Sequence, residues 1–131
     1  MEQNFLIDTN VVIYYIDGKI PVAHYEKVSK IFLTSFNIST IKKIEVMGWH
    51  KIAESDKNRL STFMESANVI YIDVEIENKT IELKQEMKIP APDAIIAATA
   101  SLYNLTLVTR NEKDFKNIQG LKLYNPFKED I

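Results

Sequence analysis

Four acidic residues, Asp8, Glu45, Asp93 and Asp114, stand where their carboxylates could converge on one point. Asp8 ends a short apolar run and precedes Thr9 and Asn10. Asp114 lies beyond a second such run, residues 105–108, after the polar stretch Thr109, Arg110, Asn111 and Glu112. Asp93 follows Pro90 and Pro92 at the head of a lean apolar segment, residues 94–102, and Glu45 sits inside a helical pattern. Each acid taken alone has an ordinary use. Asp-Thr-Asn is good turn chemistry, a carboxylate suits a helix start, Glu45 could border water, and Asp114 could belong to a charged loop. Gathered together without a counter-charge, the four would repel one another. A hard divalent cation removes that conflict. Magnesium takes oxygen ligands, keeps several waters and needs only one or two direct carboxylates. The remaining acids could hold its waters or a second ion, and such a site can activate water and stabilise displacement at a phosphodiester.

The elements that must position these acids alternate along the chain. Residues 4–7 read as a first strand, and the apolar residues 11–16 close at a turn or helix end, Asp17-Gly18. Apolar positions 25, 28, 31, 32 and 36 recur at helical spacing. A second strand is expected at 36–39, with Ser39 or Thr40 capping the next helix. In that helix Ile41, Ile44, Gly48 and Ile52 are expected on one apolar stripe, with Glu45 facing inward among them. Further helices are expected at 56–66, 76–87 and 94–102, the last stopped by Asn104 in a left-handed cap. Strands are expected at 69–72, 105–108 and 121–124. Helices alternating with short apolar strands make an α/β sandwich on a mainly parallel sheet, a single domain over 1–131. In such sheets ligands bind outside the carboxyl ends of the strands. Asp8 and Asp114 follow strands, while Glu45 and Asp93 lie early in helices leaving that same end.

Composition narrows the function. Hydrophobic residues make up 46% of the 131, enough for a core and against disorder. No apolar run reaches the roughly 18 residues of a membrane helix. The start, with an acid at position 2, does not read as a signal peptide. The chain has no cysteine, which excludes disulfides and thiolate metal sites and fits the cytoplasm. A net charge of −2 gives no overall attraction to nucleic acid. Any RNA contact must come from a local basic rim or from bound metal.

The residues Phe5 to Tyr14 (FLIDTNVVIY), Glu45, Pro92 to Ala100 (PDAIIAATA) and Leu105 to Phe115 (LTLVTRNEKDF) together resemble a PIN domain. The likeness is nearest to the VapC-type toxins of toxin–antitoxin pairs, and even Gly120 to Phe127 resembles their tail. The resemblance implies a three-layer sandwich and a Mg2+- or Mn2+-dependent endoribonuclease with Asp8, Glu45, Asp93 and Asp114 around the metal. It also implies support from Thr9, Asn10, Thr109 and Asn111, a homodimer, and an antitoxin partner. The segment around Glu45 matches only loosely, and Asn111 stands where some relatives carry another acid. Lys42, Lys43, Arg110, Lys113 and Lys116 are the candidates for touching RNA; for the first two, the solvated face of a helix is the commoner use.

Other functions fit less well. A housekeeping RNA-processing nuclease would carry the same acids. A receiver-type module wants an acid pair after its first strand, and a haloacid-type phosphatase wants an acid where Asn10 stands. An inactive RNA- or protein-binding scaffold would have no need of mutually repelling carboxylates. His24 and His50 lie beside none of the acid motifs and read as non-catalytic. Trp49 could stack on a base, though burial or an interface is the commoner use, and Tyr14 and Tyr15 read as core or interface.

Overall fold

The structure, a computed structural model, describes residues 4–128. Five strands, β1 (Phe5–Ile7), β2 (Asn37–Ser39), β3 (Asn68–Ile70), β4 (Thr106–Val108) and β5 (Lys122–Tyr124), form one sheet in the order β3-β2-β1-β4-β5. Every pairing is parallel. The helices are α1 (Thr9–Ile16), α2 (Val22–Thr34), α3 (Thr40–Met47), α4 (Glu54–Met64), α5 (Val74–Glu86), α6 (Ala91–Leu102) and α7 (Glu112–Phe115). The chain winds outward from β1 in both directions, so β1 and β4 flank the point where the strand order reverses. That is where a crevice opens in a doubly wound sheet.

Side-chain alternation sorts the two faces. Phe5, Ile7 and Val108 join Val11, Val12, Val28, Phe32 and Leu60 in one buried cluster, beneath α1, α2 and α4. Leu6 and Leu107 point the other way, into a cluster with Ile76, Leu83, Ala97, Ala98 and Phe115 from α5, α6 and α7. Strands covered on both faces read as unbroken apolar runs, which is why they are visible in sequence without alternation. The expected three-layer α/β sandwich is the observed fold.

Local chemistry fixes the ends that carry the site. Pro90 caps α6 in extended conformation and Pro92 falls in its first turn, where no N–H is needed. Ala94, Ala97, Ala98 and Ala100 are buried, and their small side chains let the helix lie close against its neighbours. Asn104 takes the left-handed conformation, φ 54°, and ends the helix as expected. The run 11–16 is a helix that starts directly after β1, with Asp8 as its N-cap. The single turn of α7 is an addition to the expected elements. Phe115, 1% exposed, anchors it, and truncation to alanine would cost about 3–5 kcal/mol.

Candidate active site

Three of the four acids meet around one lysine. The Lys42 ammonium lies 3.1 Å from Glu45 Oε1, 3.3 Å from Asp93 Oδ1 and 3.9 Å from Asp8 Oδ1. Asp8 stands at the carboxyl end of β1, Asp93 in the first turn of α6, and Lys42 and Glu45 on successive turns of α3. Three elements therefore bring one carboxylate each to the crevice. Asp8 is held further by Thr109, whose hydroxyl donates to Oδ2 over 2.9 Å. The Asn111 N–H donates in turn to the Thr109 hydroxyl, at 3.1 Å.

Burial and the ion pairs oppose each other at both ends of this contact. Burial pushes the Asp8 carboxyl above its ordinary value, against the opposing pull of the Lys42 ammonium and the Thr109 hydroxyl. For Lys42, burial alone would lower the pKa, but Asp8 and Glu45 outweigh it and hold the ammonium above its usual range. Three carboxylates against one ammonium leave two negative charges in excess if all are ionised. The site is short of positive charge.

The register of α3 differs from the expected stripe. Ile44 is 61% exposed, while Lys42 and Val46, four residues apart, are the buried positions. Glu45 is reached not by an inward apolar stripe but by lying one turn on from Lys42, with its side chain 44% exposed. Lys42 in turn is no solvated rim residue, because its charged head is among the acids. Asp114 is on the exposed side of α7 and, among the described residues, its side chain makes no hydrogen bond or ion pair. Thr9 is buried beside Asp8, whereas Asn10 and Asn111 are exposed and line the crevice.

These placements coincide with a likeness in sequence. Residues 5–121 match the PIN domain family. The chain belongs to the PIN domain family. It is 31% identical to Ribonuclease VapC1 of Rickettsia felis over 95% of this chain and 98% of that protein. Ribonuclease VapC2 of the same organism is 29% identical over 92% and 96%. Among solved structures, a toxin–antitoxin complex from Klebsiella pneumoniae contains a chain with TM-score 0.74 and 32% identity, covering 96% of this chain and all of that one. VapBC2 from Rickettsia felis, bound to a promoter DNA fragment, gives TM-score 0.78 and 27% identity over 94% and 98%.

A groove of about 430 Å³ opens from the acids of this PIN domain along α1, α3 and α4. Ile13, Ile16, Val46, Ile52 and Leu60 give it an apolar floor, and Asp8, Lys42 and Glu45 line one end. Trp49 is 55% exposed on its wall, so burial is not its role. Nothing in sequence signals the groove, because its lining joins α1 to the α3–α4 pair and to Asn111, segments brought together only by the fold. Arg110 is partly committed elsewhere: Nη1 donates to the Tyr14 hydroxyl at 2.8 Å, and its guanidinium lies over the Phe127 ring. His24 contacts the Tyr124 hydroxyl and the Lys128 carbonyl, and Tyr15 stacks on Phe32.

The donor set suits a hard cation in its chemistry: carboxylate oxygens only, from three elements, directed at one cationic point. As the side chains stand, the ammonium fills that point. Among the described residues no three His, Asp or Glu side chains are arranged to grip an ion directly. No helix among them is long and apolar enough to cross a membrane.

Proposed function

We propose that this PIN domain is a Mg2+- or Mn2+-dependent endoribonuclease, the toxin of a toxin–antitoxin pair. The observation that carries this is the convergence of Asp8, Glu45 and Asp93 on one cationic point at the sheet's switch point. The names of the relatives point the same way: two are ribonucleases, and the similar solved chains come from toxin–antitoxin complexes. A bound divalent ion would supply an activated water and offset charge on the phosphodiester.

In this reading Asp8 and Asp93 would hold the ion, and Glu45, half in water, would orient a water for attack. Thr109 fixes one oxygen of Asp8 and leaves the other facing the point that the Lys42 ammonium fills. Asp114, exposed on α7, would contribute less. Trp49 offers a flat surface beside the acids on which an unpaired base could stack. The protein would act on RNA in the cytoplasm as a homodimer, restrained by an antitoxin.

The test is cleavage of synthetic single-stranded and hairpin RNAs with Mg2+ or Mn2+, with chelator and an Asp93→Asn protein as controls. Metal-dependent internal cuts that the variant does not make are expected. Binding of RNA without any cleavage, in either metal, would favour the inactive scaffold, whose acids serve only to pair Lys42.

A further inference from the structure

We infer that the Lys42 ammonium and a divalent cation compete for the same carboxylates, so that Lys42 is the resident counter-ion of the metal-free site and withdraws as an ion binds. The inference rests on the metal-dependent reading above.

Lysines ordinarily bury the stem and leave the charged head in water. Lys42 departs from this: its whole side chain is only 10% exposed and its head lies against Asp8, Glu45 and Asp93. An ammonium offers three donors and accepts nothing, so acids around it find in it what a metal would otherwise give. Magnesium needs its oxygen ligands at about 2.0–2.1 Å. An ion that close to Asp8 and Asp93 would stand within a few ångströms of the ammonium, and two positive charges at that range repel strongly in a partly buried site. Occupancy of the point is therefore exclusive. The lysine stem is flexible, and Lys42 borders the open groove, which gives its head somewhere to go. Two consequences follow for the protein as it stands. The metal-free fold is spared the repulsion of bare acids, and metal uptake is weakened by the ion pairs that it must displace. Lys42 is thus a positioning residue, acting through the acids.

The experiment compares wild type with Lys42→Met, using Mn2+ as the probe. Calorimetric titration should show Mn2+ binding several-fold tighter in Lys42→Met. Its melting temperature should lie several degrees below wild type in chelator and recover most of that gap in saturating Mn2+. In wild type, acylation of Lys42 by an amine-reactive reagent, read by mass spectrometry, should be several-fold faster with Mn2+ than with chelator. This last measurement decides the matter if Lys42→Met does not fold. Unchanged or weaker Mn2+ binding in a folded Lys42→Met overturns the competition. So does Lys42 staying protected in wild type that has demonstrably bound Mn2+, and in that case the metal-dependent reading survives. Mn2+ uptake by neither protein overturns the competition and that reading together.

Discussion

The hydroxyl of Thr109, at the end of β4, donates to Oδ2 of Asp8, at the end of β1, across 2.9 Å. The bond ties together the two strands at which the sheet order reverses, with both residues buried. It holds one oxygen of Asp8 in place, and the other faces Lys42 at 3.9 Å. Thr109→Val keeps the shape and removes the donor. A buried carboxylate then loses its hydroxyl partner, and the Asn111 N–H loses its acceptor. The expected loss is about 1–3 kcal/mol in urea unfolding, with Thr109→Ser retaining most of the wild-type stability. A Val variant as stable as wild type would mean that the bond contributes nothing to holding Asp8.

Asp93 and Asp114 should separate in function. Asp93 lies 3.3 Å from the Lys42 ammonium, whereas the Asp114 side chain is exposed and unpaired among the described residues. Asp93→Asn should lower metal-dependent RNA cleavage on the order of 10²-fold or more. Lys42 keeps two carboxylate partners in that variant, so melting in chelator should stay within a few degrees of wild type. Asp114→Asn should cause a clearly smaller loss. Equal losses in single-turnover assays would place Asp114 back among the acids that hold the ion.

A pH effect should arise far from the active site. Asp73 caps α5, accepting the Ile76 N–H at 2.8 Å and the Tyr103 hydroxyl. The Tyr103 hydroxyl first, then the Ile76 N–H, hold its carboxyl below the ordinary 3.8. A lowered carboxyl pKa contributes stability that is present above 3.8 and lost as pH falls through the folded value. Asp73→Ala should therefore melt lower than wild type at neutral pH, and the gap should close as pH falls below the carboxylate range. A gap independent of pH would show that the interaction removed does not involve the ionised group.

What sequence makes legible follows from which interactions are local. The central strands β1 and β4 are readable because they are buried on both faces and bounded by turn residues. The stop of α6 is readable because Asn104 and the prolines act within one turn. The register of α3 is not. Ile44 suggests an inward face, but Lys42 is drawn inward by acids from β1 and α6, residues 34 and 51 positions away in the chain. A buried lysine looks the same in sequence as a solvated one until its partners are in place. For the same reason, the acids after β1 and at the start of α6 can be paired by their positions at strand and helix ends. Asp114 also follows a strand, but it falls on the short turn of α7, which no sequence pattern announces.

The last expectation concerns how a chain of net charge −2 reaches RNA. Attraction at a distance is weak, so affinity must come from local basic residues. Lys42 is removed from that set while its head is paired with the acids. Arg110 is shared with Tyr14 and Phe127. Lys43 on α3 and Lys113 and Lys116 around α7 remain, with Lys113 and Lys116 exposed. Removing a side chain that neutralises one phosphate should weaken binding and reduce the salt slope by about 0.7 for a single strand. In an Asp93→Asn background, held in chelator so that RNA is not cut, Lys43→Ala and Lys113→Ala should each raise the RNA Kd at low salt and flatten its salt dependence. Arg110→Ala should do so too, and should also lower the melting temperature, because it frees Tyr14 and Phe127 from their cation. Fluorescence anisotropy across a salt series measures all three. If Lys43 and Lys113 leave both Kd and slope unchanged, RNA approaches along the α1–α4 side of the groove, where Arg59 and Trp49 line the wall.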